Sequence, residues 1–302
     1  MYIIYKAVKD NNGDIMNIRT DLALERHEML PREEINGVNI SFEENENCRA
    51  TTIEISSEEG ERALGKPKGK YVTLETDSFT DSEVLCDGRL ELLIKSLTGL
   101  LPREGTVLVA ALGNSDITPD AIGPKCADCI LATRHIPKET EKELKLPRLR
   151  DVAVISPGVT GKTGIETGEI ISGITEKIKP SCVIVIDALA ARSVTRLGTT
   201  IQLCDTGIEP GSGVGNKRKA INRETLGVPV IAIGIPTVVD AATLSFDLTG
   251  KSPRDSSFSD MMVTPKDTDI ITSAGARLIA LGINCALQKN LSREEIISLT
   301  SA

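Results

Sequence analysis

The sequence predicts an α/β fold: a mostly parallel sheet covered by helices on both faces, with an N-terminal β-containing extension. Two observations carry this. Short apolar, β-branched runs recur after the first third of the chain, as "TVLVAAL", "DVAVISP", "CVIVIDA", "TTIQLCD" and "VPVIAIGIP". Near-continuous runs of this kind suit strands buried on both faces. Helix-like segments such as "GEIISGITEKIK" separate several of them, and such alternation supplies the crossovers that parallel strands need. Composition agrees. The chain has 302 residues, 40% hydrophobic and 26% charged, enough for a sizeable core. Aromatics are 2% and Trp is absent, so that core is aliphatic.

Taken in order, the stretch to about Asn47 is polar and ends near the acidic "EENENC", which reads as an appendage. "RATTIEI" and "KYVTLET" are strand-like and flank the turn-forming "LGKPKGK", giving a hairpin or two adjacent strands. A helix is expected in "SEVLCDGRLELLIKSLTGLL", closed by Pro102. After the strand region, "TDIITSAGARLIALGINCALQ" has helical periodicity and should pack on the sheet. "LSREEIISLT" opens with a Ser capping box and predicts a last short helix.

Charge and composition remove several function classes. A net charge of −8 with no basic stripe argues against a nucleic-acid or anionic-membrane surface. No run of about 18 apolar residues and no signal-peptide pattern is present, so a cytoplasmic protein is expected. Seven scattered Cys suit reduced thiols. Only "CADC", Cys126 to Cys129, has redox or zinc spacing, and without a second pair it reads as two small core residues one helical turn apart.

In open α/β sheets ligands bind beyond the carboxyl ends of the strands. Here those ends carry "GNSDITPDAIGP", "SPGVTGKTGIETG", "DALAARS", "DTGIEPGSGVGNKRK" and "PTVVDAAT", a concentration of glycines, hydroxyls and acids. Asp120, in "TPDAIGP", could merely occupy the first turn of a helix capped by Thr118. Asp187 could cap a helix starting at Ala188. Together on one sheet edge they have a second reading: paired acids cannot both ionise cheaply, so one stays protonated while the other activates water. Asp116, Asp205 and Asp240 occupy equivalent loops and read as turn or cap residues. "GSGVGNKRK" fails the phosphate-loop pattern, because Asn216 separates Gly215 from Lys217 and no Ser or Thr follows the Lys. Its backbone amides could still bind a carbonyl, and Lys217 or Arg218 could meet an acidic substrate group. His27 and His135 are the only imidazoles, which disfavours Ser–His–Asp, Cys–His and His-rich zinc sites. No cofactor-binding or metal site is assigned.

The stretches "RTDLALERHE", "LGKPKGKYVTLE", "LGNSDITPDAIGPK", "ISPGVTGKTGIETGEII", "IDALAARS", "TTIQLCDTGIEPGSGVGNKRK", "IPTVVDAAT" and "MMVTPKDTD" together resemble the germination protease family of spore-forming bacteria. The resemblance covers nearly the whole chain from Arg19. It implies a peptidase, made as a self-processing zymogen, that degrades small acid-soluble spore proteins during germination in the forespore and spore core. The enzyme need not bind DNA itself. It also implies catalytic roles for Asp120 and Asp187, a homotetramer, no cofactor, and a fold similar to hydrogenase-maturation endopeptidases. Residues 1–18 become the expected prosegment and 19–302 a single peptidase domain, with a small subdomain conceivable in its N-terminal part. The family cuts after Glu, whereas "GDIMNIRTD" offers Asp14 and no Glu, so the self-cleavage site stays open. Two alternatives stand beside this reading: a metal-dependent peptidase using the same acids as ligands, and a non-enzymatic peptide-binding protein.

Overall fold

The computed structural model describes residues 8–9, 15–16, 20–30, 35–79, 88–143, 147–212, 215, 218–249 and 261–300. Two short strands, β1 (Val8–Lys9) and β2 (Ile15–Met16), pair antiparallel with each other. The remaining strands form one sheet: β3 (Val38–Glu44), β4 (Cys48–Ile55), β5 (Gly69–Thr76), β6 (Val107–Ala111), β7 (Val152–Ile155), β8 (Cys182–Ala191), β9 (Thr200–Cys204), β10 (Val230–Asp240) and β11 (Met262–Val263). Their order across the sheet is β3-β4-β5-β9-β10-β8-β6-β7, with β11 paired to β10.

The α/β architecture is as expected, and the parallel set is β7, β6, β8 and β10. β9 departs from the expectation by pairing antiparallel with both β10 and β5. The cause is its connection. Only a single 3₁₀ turn, Val194–Arg196, lies between β8 and β9, too little chain for a parallel crossover.

The N-terminal region is not an appendage. Leu22, Ala23 and Leu24 are buried where the helix Ala23–Glu28 begins, and β3 and β4 continue the sheet through β5 and β9. β3 is an edge strand exposed along nearly its whole length, so it lacks the apolar alternation that marks a half-buried strand. β4 and β5 are adjacent, but a helix, Glu58–Leu64, intervenes rather than a turn alone. Ser57 caps that helix through Gly60 N, and Gly65 ends it.

Both sheet faces are covered. On one, the helices Gly88–Leu100, Ile122–Ala127 and Thr268–Leu287 pack on Val107, Val109, Ile184, Ile186, Ile231 and Ile233. On the other, the helix Thr167–Ile178 presents Ile171 to Leu108, Ala110, Val183 and Val185. Alternate residues of β8 thus enter different cores, which explains why it is apolar throughout. Thr268–Leu287 is long and apolar enough to cross a membrane by length and composition, yet 72% of its apolar window is buried inside the protein. Residues 82–87 of the helix expected before Pro102 lie outside the described set, and the described part begins at Gly88. The last helix, Arg293–Thr300, has the expected capping box between Ser292 and Glu295.

Candidate active site

The site forms where β6 leaves the sheet. Ala111 is its last residue paired to β8, opposite Ile186, and Leu112 N donates to Ile186 O at 2.8 Å. β8 continues to Ala191, held on one side by β10. Asp187 is therefore an interior strand residue, which removes the alternative of a cap for a helix starting at Ala188.

Backbone groups on the vacated side of β8 must find partners, since buried N–H groups are costly to leave unpaired. Carboxylates supply them. Ala188 N donates to Asp187 Oδ1 at 3.0 Å and Ala190 N to Asp21 Oδ2 at 2.9 Å; just past the end of β8, Arg192 N donates to Glu25 Oε2 at 2.7 Å and Ser193 N to Glu25 Oε1 at 2.9 Å. Facing Asp187 on β10 is Gly234, where a Cβ would lie 2.4 Å from Asp187 O. Only glycine allows that approach.

Asp120 arrives by a different device. After Leu112 the chain turns at Gly113, whose φ is +115° and whose added Cβ would fall 2.0 Å from Asp120 O. Asn114 N then bonds both Asp120 O at 3.1 Å and Asp120 Oδ2 at 2.8 Å. The expected helical turn at Thr118 is a 3₁₀ turn, Thr118–Asp120, with Ile117 rather than Thr118 as its cap and Pro119 within it.

Asp120 and Asp187 line one cleft of about 360 Å³, together with Asp21, Leu189, Ile117 and Arg218. Asp187 is 7% exposed. Burial raises its proton affinity well above the ordinary aspartate range, and the neighbouring charges of Asp120 and then Asp21 add to this; the Ala188 N–H and Arg218 oppose it. Burial also raises Asp120, against the Asn114 N–H and Arg218. The two carboxyls are inequivalent: Asp187 is the better proton holder.

A second cavity of about 510 Å³ adjoins the cleft and shares Asp21, Leu189, Ile208 and Glu209 with it. Lys66 lies here, its Nζ donating to Asp21 O at 2.9 Å, with burial lowering its proton affinity. Gln202 Nε2 donates to the same carbonyl at 2.9 Å.

The rival residues take structural positions. Asp116 is exposed and ion-paired to Lys162 at 2.5 Å. Asp205 Oδ1 accepts Lys70 N at 2.7 Å, and because β9 runs antiparallel, Asp205 emerges at the opposite sheet edge. Asp240 caps the helix Ala241–Thr249 by accepting Thr243 N at 2.9 Å. His135 is in an exposed turn and His27 in the N-terminal helix, neither lining the cleft. Cys126 is buried with Sγ against Ala276 O, and burial raises the thiol pKa of both Cys126 and Cys129. Arg218 reaches the cleft, while Lys217 and Asn216 lie outside the described residues. Among the described residues no group of three His, Cys, Asp or Glu side chains could hold a metal. Asp21 and Glu25 escape the sequence reading, since nothing in the polar N-terminal stretch signals that it straps a strand 169 and 167 residues downstream; Lys66 reads only as part of the turn-forming "LGKPKGK".

A family model described as germination protease matches residues 17–250. The chain belongs to the germination protease family. A germination protease of Caldanaerobacter subterraneus is 40% identical, over 94% of this chain and 98% of that protein. One from Clostridium perfringens is 43% identical, over 93% and 98%. Among solved structures, the nickel–iron hydrogenase maturation protease HycI of Thermococcus kodakarensis is similar at 18% identity and a TM-score of 0.38, covering 64% of this chain and 98% of that one. Membership of a protease family indicates peptidase activity. The matched span includes the turn at Gly113, both cleft acids and the loop carrying Arg218.

Proposed function

We propose that this germination protease is an endopeptidase of small acid-soluble spore proteins that hydrolyses peptide bonds with Asp120 and Asp187. The observation that carries the reading is the pair of unequal carboxyls lining one cleft. Asp187, the stronger proton holder, acts as general acid and Asp120 as general base. Water attacks the scissile carbonyl carbon as Asp120 takes its proton and Asp187 protonates the carbonyl oxygen. The tetrahedral intermediate collapses with the C–N bond breaking; the amine takes its proton from Asp120, and a hydroxyl of the intermediate returns one to Asp187. Both acids regain their starting states.

The remaining parts of the reading rest on the family. Residues 1–18 form a prosegment removed by self-cleavage, residues 19–302 form the peptidase domain, and the enzyme works as a homotetramer in the cytoplasm of the forespore and spore core. The test is incubation of the chain, before and after trimming of its first residues, with a small acid-soluble spore protein. Discrete fragments are expected from the parent and none from Asp120→Asn or Asp187→Asn with unchanged folds. Full activity in either variant overturns the assignment, and absence of cleavage by the trimmed parent favours a binding protein.

A further inference from the structure

The segment Thr20–Glu25 contributes more to the cleft than burial. Asp21 N donates to Ala190 O at 2.9 Å, and Asp21 Oδ2 accepts Ala190 N at 2.9 Å, so Asp21 holds the edge of β8 that β6 has vacated. Its other oxygen, Oδ1, accepts Ser212 Oγ at 2.9 Å from the Gly-rich loop that also carries Arg218. Both oxygens accept, the pattern of an ionised carboxylate. Its carbonyl is fixed by Lys66 and Gln202, and Thr20 Oγ1 bonds the Glu25 carboxylate that holds Arg192 and Ser193. Asp21 lines both cavities.

We propose that Asp21 is a third carboxylate of the site, a positioning residue that clips the β8 rim to the Gly-rich loop and keeps the proton on Asp187. The inference rests on the proposed dyad. The charged groups around Asp187 are Asp120 from the 3₁₀ turn, Arg218 and Glu209 from the Gly-rich loop, and Asp21 from the N-terminal segment, with Lys66 and Arg26 on the far side of Asp21. A negative charge at Asp21 favours protonated Asp187, in the same direction as Asp120. Arg218 acts the opposite way, and the clip holds its loop against the same strand.

Two variants separate the charge from the clip. Asp21→Asn keeps an oxygen acceptor and removes the charge; Ser212→Ala keeps the charge and releases the loop. The readout is a ¹³C-carboxyl NMR titration of aspartate-labelled protein, with Asp187 identified by its loss in Asp187→Asn, alongside pH profiles of kcat/KM. Asp21→Asn should move the Asp187 titration and the basic limb of the profile to lower pH without lowering Tm. Ser212→Ala should raise KM and, by freeing the loop that carries Arg218, move the Asp187 titration to higher pH, opposite to Asp21→Asn. An Asp187 titration unchanged in Asp21→Asn overturns the inference, as does activity lost only in proportion to lost fold. Because the titration needs no turnover, its failure is distinguishable from failure of the dyad, which active Asp187→Asn alone would reveal.

Discussion

Replacing Asp187 by Asn should move activity and stability in opposite directions. The amide matches the carboxyl in shape and can keep an oxygen toward Ala188 N, but it cannot deliver a proton. Loss of a general acid costs about a hundred- to ten-thousandfold in rate, or about 3–5 kcal/mol of transition-state stabilisation. The folded state suffers no such loss. Because folding raises the Asp187 proton affinity, its contribution to stability is full below the ordinary aspartate range and disappears as pH climbs through the folded-state value. Asn does not titrate, so Asp187→Asn should gain stability relative to the parent as pH rises from about 4 toward 8. The assay pairs denaturant melts across that range with kcat/KM on a spore-protein substrate. A variant that is equally active, or whose stability relative to the parent falls with rising pH, refutes the reasoning.

Further outcomes follow from the same geometry. Gly113→Ala forces a Cβ to 2.0 Å from Asp120 O at a φ of +115°; it should cost about 2–4 kcal/mol in denaturant melts, from backbone strain and overpacking together, and abolish activity by displacing Asp120. Arg218→Gln removes a cation that lowers the proton affinity of both acids, so both limbs of the pH–rate profile should move to higher pH; an unmoved profile would place Arg218 outside the field of the pair. Exhaustive dialysis against a chelator should leave cleavage unchanged, and activity lost on dialysis and restored by added metal would favour the metal-dependent alternative.

The parallel core was legible because β6, β8 and β10 are buried on both faces and so are written as uninterrupted aliphatic runs. Asp187 was visible as a carboxylate interrupting such a run, and Asp120 as an acid in a turn at the same edge. What could not be read is how each is held. The alternative of a cap role for Asp187 assumed that the strand ends with its apolar run, whereas β8 continues to Ala191 with Asp21 on the edge that β6 leaves and Glu25 just beyond its end. That substitution joins residues far apart in sequence and leaves no local period. β3 was missed for the opposite reason: an edge strand exposed on both faces carries no pattern to detect. The reversal of β9 depended on connection length more than on composition, and it moved Asp205 away from the cleft.

The central claim is that Asp120 and Asp187 hold one water between them with the proton on Asp187. Neutron diffraction from crystals of the active protein in heavy water, near neutral pH, tests it most directly. The account predicts a deuteron on Asp187, none on Asp120, and a water within hydrogen-bonding reach of both. Two bare carboxylates around a metal ion, or carboxyls with no shared water, would contradict it.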